Sequence, residues 1–213
     1  MSLLAKLHMR FMQFLEKRKQ DGTFEACLSS IYRREEAVPV ELDLGNLRRA
    51  KEPKGILPEI RDLGPDNLRQ QGLEFPLRSR RVRMQLFFDR GYRSVVMVRD
   101  GVVIGDIWYQ TRETAGQSPL HPHLRWFGIE LGSHEVYMFD LHVLSENRGS
   151  ALATWFMTRA LERFRDQGFT KAYGYFAVGN LPALWMHRLI GFKEKAHVVL
   201  HRFLIFETAR SKS

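Results

Sequence analysis

The spacing of apolar residues changes period along the chain, and each change marks an element. Val136–Val143 (VYMFDLHV) is rich in β-branched and aromatic residues, which predicts a buried strand. From Leu152 the period becomes helical. Ala153, Phe156, Met157, Ala160, Leu161 and Phe164 share one face, and Gly168 predicts the end of that helix. Thr170–Val178 (TKAYGYFAV) reads as a second strand. A further helix is framed by Asn180 as N-cap, Pro182 in the first turn and Gly191 at the C-terminus.

Upstream, Glu59–Leu63 predicts a strand, Pro65-Asp66 opens a helical region, and a second helix runs over about Leu77–Arg90. Ser94–Thr111 is a hairpin with Asp100-Gly101 as its two-residue turn. Arg112–His123 reads as a loop with Gly116, Pro119 and Pro122, and Trp126–Leu131 as a short strand. Lys195–Phe206 reads as a long apolar strand region, followed by a polar tail. Near the start, Val38–Leu44 (VPVELDL) alternates and predicts a strand added at the edge of the main sheet. Cys27–Arg34 fits a short helix or a strand equally, and the charged run Asn46–Gly55 is the expected domain boundary.

In Met1–Gln20, Leu4, Leu7, Phe11, Phe14 and Leu15 fall on one helical face, with Lys6, Arg10, Lys17, Arg18 and Lys19 supplying cations. Such a helix either packs on the domain or on a second copy of the chain as a homodimer, or lies on a membrane surface as a peripheral contact. The first is the more ordinary use of an amphipathic helix.

Composition narrows the class. At 213 residues the chain holds one well-cored domain plus an appendage, and 44% apolar content is that of a globular protein. Cys27 is the only cysteine, so no intrachain disulfide forms, which fits a reducing, cytoplasmic setting. Met1–Gln20 carries charge throughout and lacks a small-residue cleavage site, so no secretory signal is expected there. A net charge of +9 suits an anionic partner: a phosphorylated cosubstrate, an acidic carrier protein or a membrane surface. Nucleic acid is not expected, since zinc-finger spacing and basic-aromatic signatures are lacking. His121 and His123 have no nearby carboxylate or cysteine set in the sequence, so no metal site is expected. The arginines Arg78, Arg80, Arg81, Arg83 and Arg90 read as a solvated helix face, with contact to an acidic carrier or to a phosphate of the acceptor as the alternative.

The candidate chemistry lies between the strand ending at Val143 and the helix starting at Leu152. A loop feeding a helix N-terminus aims unpaired N–H groups and the positive end of the dipole at one point, which suits phosphate. Gly149, Ser150 and Ala151 let a ligand approach the backbone closely.

Two motifs at their expected separation make this signal specific. Glu146-Asn147-Arg148-Gly149-Ser150-Ala151 is similar to a Gln/Arg-x-x-Gly-x-Gly/Ala loop. Asn180 and Ala183, followed by an aromatic-bearing helix and Gly191-Phe192, form the second. With this order of elements the chain resembles the GNAT acyltransferase superfamily over roughly residues 56–205. Two departures stand out: Glu146 replaces Gln or Arg, and His187 takes the place of a common tyrosine acid.

The resemblance implies an α/β (α+β) fold: a mixed, mostly antiparallel sheet, splayed between two central parallel strands and flanked by helices. Residues 56–213 would form the acyltransferase domain and residues 1–55 an extension. Coenzyme A pyrophosphate would sit on Asn147, Arg148, Gly149, Ser150, Ala151 and Leu152. Its pantetheine arm would run along Leu141 and Val143 to Asn180, where the strands part beyond Val178. An amide near Leu141–Leu144 would polarise the thioester carbonyl.

Strand alternation would put Met138, Asp140 and His142 on one face and Phe139, Leu141 and Val143 on the other. Asp140 and His142 are then candidate bases, acting directly or through a water, or a structural polar pair. His187 is a candidate acid or a packing residue. The expected activity is transfer of an acyl group, acetyl by default, from acyl-coenzyme A to a primary amine of a small molecule such as an amino sugar or amino acid. Two alternatives are an N-acyl amino acid synthase drawing long chains from an acyl carrier protein, and a non-catalytic coenzyme A-binding module.

Overall fold

The computed structural model describes residues 7, 11, 12, 14, 15, 32–68, 72–116, 118–149, 151–203 and 206–211. The elements in chain order are β1 (Tyr32–Asp43), β2 (Glu59–Leu63), α1 (Arg78–Phe88), β3 (Arg93–Arg99), β4 (Val102–Gln110), α2 (Arg112–Ala115), α3 (Pro122–Trp126) and β5 (Glu135–Val143). They continue with α4 (Leu152–Asp166), β6 (Lys171–Ala177), α5 (Leu181–Ile190), β7 (Lys193–Glu194), β8 (Val198–Phe203) and β9 (Phe206–Ser211). Leu7, Phe11, Met12, Phe14 and Leu15 are helical, with Met12 buried and Phe11 exposed. The rest of Met1–Gln20, most of Cys27–Arg34, and Ser150 lie outside the described residues.

The strands form one sheet in the order β2-β3-β4-β5-β6-β1-β8-β9, with β7 pairing β1 beside β8. Only the β5–β6 pair is parallel among the described strand pairs. The fold class is therefore the mixed, mostly antiparallel one expected, with helices on both faces. One face packs on α4 and α5 through Phe156, Ala160, Leu161, Phe164 and Ile190, all 0% exposed. The other carries α1 and α3 on Met84, Phe88, Trp108, Leu124 and Tyr137.

Three segments depart from the sequence reading. The strand expected at the sheet edge is β1, and it lies inside, between β6 and β8. Pro39 has no N–H to offer, which favours an edge. Here β8 pairs with Tyr32–Ala37 and β7 with Val40 and Glu41, so the missing N–H falls in the gap between the two partners. Burial of Val38, Val40 and Leu42 on one face and Ala37 on the other then holds the strand centrally. Second, Arg112–His123 is not a plain loop and Trp126–Leu131 is not a strand. Thr111 caps α2 through a reciprocal bond with Thr114, and Pro122 at the first turn opens α3. Third, the long C-terminal strand region is a hairpin of β8 and β9.

Candidate functional site

The site is built on a defect in β5. Along β4, Trp108 pairs with Phe139 and Asp106 with His142, so two residues of β5, Asp140 and Leu141, stand opposite the single Ile107. Asp140 takes up the extra length at a φ of 54°. Such a bulge bends its strand and shifts the side-chain alternation by one. Val136 and Met138 face α4 before it, and Leu141 and Val143 face α4 after it. The alternation expected for this strand is thus corrected: Met138 and His142 do not share a face, and Leu141 and Val143 do not join Phe139.

The bend also opens the sheet. β5 and β6 pair only over Glu135–Tyr137 and Lys171–Tyr173. The parting therefore begins just after Tyr173, ahead of the expected position beyond Val178. Between the separated strands lies a cleft of about 600 Å³. Its walls include Met138, Leu141 and Phe176 from the strands and Met157, Met186 and Phe192 from the α4 side. Glu35, Phe139, Asp140 and Tyr175 also line it. Asn180 and His187 belong to the lining, whereas Val143 and His142 do not.

Directly after β5 a single 3-10 turn (Ser145–Asn147) leads into the candidate phosphate loop. Gly149 sits at a φ of 91° with open space where a Cβ would stand, and Ala151 enters α4 at a φ of 59°. Among the described residues no side chain caps α4. Arg148 is turned back, its Nε donating to the Val143 carbonyl at 2.8 Å, and Asn147 Oδ1 accepts from Arg99 at 3.2 Å. Those contacts brace the loop from outside and leave the first amides of α4 facing outward from a glycine-lined approach. An anion fits there.

The second motif is ordered differently. Asn180 Oδ1 accepts from the Ala183 amide at 3.2 Å, so α5 is capped. His187 is buried, and its ring lies between Phe176 and Phe192 at 5.3 and 5.0 Å. Burial lowers its pKa, so it is neutral near pH 7. Its Nδ1 is 2.7 Å from the Ala183 carbonyl and must donate there, which leaves Nε2 as an acceptor.

Opposite α4, a buried ion network holds the bulge. Arg80 donates through Nε to Asp106 Oδ2 at 3.1 Å and also meets Oδ1 of that carboxylate. Its Nη1 reaches Asp140 Oδ2 at 2.9 Å, and Nη2 reaches the Asp140 carbonyl at 3.3 Å. Arg83 adds a second cation on Asp140. Burial raises the Asp140 carboxyl, but the two guanidiniums outweigh it and hold its pKa at about 2. His142 is driven down to about 4 by burial and by Arg80, against the pull of Asp140. Asp140 thus answers to the two arginines, and His142 first to burial and then to Arg80.

Arg80, Arg83 and Asp106 were missed as part of this site. The arginine-rich stretch reads as a solvated face, yet Arg80 is 7% exposed. The available signal was Asp106 itself, an acid in the middle of the apolar strand VVIGDIWYQ. His121 and His123 are also built in. His121 Nδ1 accepts from the His123 amide at 3.2 Å, and His123 Nδ1 lies 3.0 Å from the Tyr137 hydroxyl.

The family model for the acetyltransferase (GNAT) family matches residues 59–192. No curated protein matches the chain. Among solved structures, a tandem GNAT protein from the clavulanic acid biosynthesis pathway is 18% identical with a TM-score of 0.53, over 84% of this chain and 57% of its own. A glucosamine N-acetyltransferase region of a fungal multi-domain β-N-acetylglucosaminidase is 17% identical, with a TM-score of 0.51, over 86% of this chain and 23% of its own. A GCN5-related N-acetyltransferase from Sphaerobacter thermophilus is 13% identical, with a TM-score of 0.49, over 86% and 58%. The chain thus spans 23 to 58% of the length of these solved proteins, and the likeness to the first two is one of fold.

Proposed function

The chain belongs to the GNAT acetyltransferase family, and from that premise we propose that it transfers an acyl group, acetyl by default, from acyl-coenzyme A to a primary amine of a small molecule. The observation that carries this reading is the cleft left where β5 and β6 part, with the uncapped N-terminus of α4 following β5. Acyl-coenzyme A supplies an already activated thioester. The chain's own tasks are to hold it, to polarise its carbonyl and to admit a neutral amine.

Asn147–Leu152 hold the pyrophosphate through backbone amides, with Gly149 keeping the approach clear. Beyond Tyr137 the β6-facing edge of β5 is free of its ladder, so its amides near Leu141 serve the pantetheine arm and the thioester oxygen. Asp140 serves as the anchor of the bulge, since an anion shared by Arg80 and Arg83 is a poor proton acceptor. His187 contacts the donor and fills the wall; with Nε2 unprotonated it accepts a hydrogen bond and is no acid in its neutral form. The neutral amine attacks the thioester carbonyl directly, the C–S bond breaks, and the departing coenzyme A thiolate takes up the proton that the nitrogen gives off, with no covalent enzyme intermediate.

Met138, Met157 and Met186 give one end of the cleft soft, adaptable walls, which favours a second reading in which a longer acyl chain is carried. Thermal unfolding with coenzyme A, acetyl-coenzyme A, and medium- and long-chain acyl-coenzyme A tests both. A ligand of the native state raises the melting temperature by mass action. A rise with acetyl-coenzyme A that is absent for long chains supports the acetyl donor, and a rise confined to long chains supports the second reading. No rise with any of them overturns the donor site at Gly149.

A further inference from the structure

Helix α5 is apolar on both of its faces. Inward, Met186 and Ile190 join the α4-side core and His187 is buried beside them. On a period of 3.6 the opposite face is made by Leu181, Pro182, Trp185, Arg188 and Leu189. Leu181, Trp185 and Leu189 are 58, 60 and 64% exposed. A surface helix ordinarily turns polar residues outward, and a helix that is apolar all round is ordinarily covered all round.

The outer stripe presents roughly 400 Å² of apolar surface, the size of patch that on a monomer often marks a contact. Two such stripes face to face bury about 800 Å². Val178, 41% exposed in the turn before α5, and the exposed Pro182 enlarge the contact toward the roughly 1,200 Å² at which specific interfaces begin. The stripe carries one charge, Arg188, whose Nε donates to Glu194 Oε1 at 2.7 Å. The face is therefore neutral although the chain carries +9. An acidic protein or an anionic lipid surface seeks uncompensated cations, which this face does not offer, whereas a copy of the same face meets no like charge on it.

Its order is also palindromic. Leu181 and Leu189 each lie four residues from Trp185. A copy turned over about a two-fold axis through Trp185 sets Leu181 of each chain against Leu189 of the other, and the two Trp185 rings against one another. Such self-complementarity is what a two-fold interface requires. The antiparallel alignment also brings the positive end of each helix dipole to the negative end of the other.

We propose that the chain forms a two-fold homodimer through this outer face of α5, with Trp185 at the axis. The proposal does not depend on the acyl-transfer reading. It gives α5 two duties, because its inner side supplies Ala183, Met186 and His187 to the cleft wall.

Sedimentation velocity of the full chain from about 1 to about 100 μM, where small interfaces associate, is expected to show a monomer–dimer equilibrium. Trp185→Glu sets two carboxylates against each other at the axis and should raise the dissociation constant at least about tenfold. Trp185 does not line the cleft, so this variant should keep the wild-type circular dichroism and a coenzyme A affinity within about twofold. A second measurement reads the register without a disruptive change. In a Cys27→Ser background, a mixture of Leu181→Cys and Leu189→Cys chains is expected to form disulfide-linked dimers at least about fivefold faster than either variant alone, since a bridge needs Cα atoms within about 7 Å. A monomer at every concentration overturns the proposal, and so does a dimer that Trp185→Glu leaves intact, which would put the contact on another face. Equal cross-linking of the single variants and the mixture overturns the antiparallel pairing about Trp185. Failure of the wild-type protein to bind coenzyme A bears on the donor reading alone.

Discussion

The two faces of the central sheet bury similar aromatic and aliphatic bulk, yet they are held by different means. On the α4 face, buried Phe156, Ala160, Leu161 and Phe164 meet an apolar strand surface, and the buried polar side chains of α4 and α5 bond locally or to exposed arginines: Thr158 and His187 to their own helix, Glu162 to Arg49 and Arg159. On the α1 face the apolar cluster is threaded by Arg80, Asp106, Asp140, His121 and His123. Apolar packing is tolerant, because a lost methylene costs only its own contacts and the cavity it leaves. A buried ion network is intolerant, because removing one member strands the others. The donor side of the cleft is thus built on the forgiving face, and the bulge that opens the cleft is fixed by the unforgiving one.

The sharpest way to break this contrast is Arg80→Met. It leaves Asp106, 3% exposed in its side chain, and Asp140 without their shared cation. A loss of about 3–5 kcal/mol is expected by urea unfolding, against less than about 1.5 kcal/mol for the volume-conserving Leu161→Met on the α4 face. Equal losses would mean that the network is no more demanding than ordinary packing. Arg83→Met is expected to cost less than Arg80→Met, since Arg80 still pairs with Asp140.

Acid sharpens the same contrast without mutation. Burial holds His123 at about 4, and burial with Arg80 holds His142 at about 4, against about 6.5 in the unfolded chain. Between pH 6.5 and about 4 the unfolded state therefore binds more protons than the folded one, and stability rises with pH across that window. Asp140, held at about 2, contributes stability above the unfolded carboxyl value of 3.8 and loses it as pH falls toward 2. Urea midpoints from pH 7 to 3 are expected to fall steadily. His123→Asn and His142→Asn should each flatten the limb above pH 4, and an unchanged slope in both would remove these two histidines as its source.

How much of this was legible follows the same division. The α4 face rests on local information: a helical period from Ala153 to Phe164, a glycine loop before it and an Asn cap after β6. Such signals span a few residues, so they survive in the sequence alone. The bulge did not, because one extra residue in β5 is visible only against its partner β4. The alternation read along β5 failed for that reason, so that Met138 and His142 do not share a face. Arg80 reaches Asp106 and Asp140 across 26 and 60 positions, and an arginine cluster gives no sign of which member turns inward. The alternation of Val38–Leu44 reads as a strand added at the edge; the interior position of β1 depends on where two later strands stop.

A smaller effect separates donor binding from stability on the α4 face. Gly149 adopts a positive φ with free space around it. Gly149→Val is expected to cost about 1–2 kcal/mol in backbone strain. The larger consequence is for the ligand: coenzyme A affinity should fall at least about tenfold by calorimetry, because the side chain occupies the approach to the helix amides. Full affinity in a folded Gly149→Val protein would move the pyrophosphate elsewhere.

The finest comparison lies within one residue. Asn180 is both a cap, with Oδ1 on the Ala183 amide, and part of the cleft wall. Asn180→Ala removes both roles and should cost about 1 kcal/mol of stability, the usual worth of such a cap. Asn180→Asp keeps a carboxylate oxygen for the cap and removes only the Nδ2 donor. If stability is kept and coenzyme A binding weakens, Nδ2 donates to the pantetheine arm, although the added negative charge must then be checked with Asn180→Ser, which caps without charge. If neither Asp nor Ser weakens binding, Asn180 serves the donor only by fixing where α5 begins. The contact with the pantetheine arm would then fall to the backbone of the parted strands.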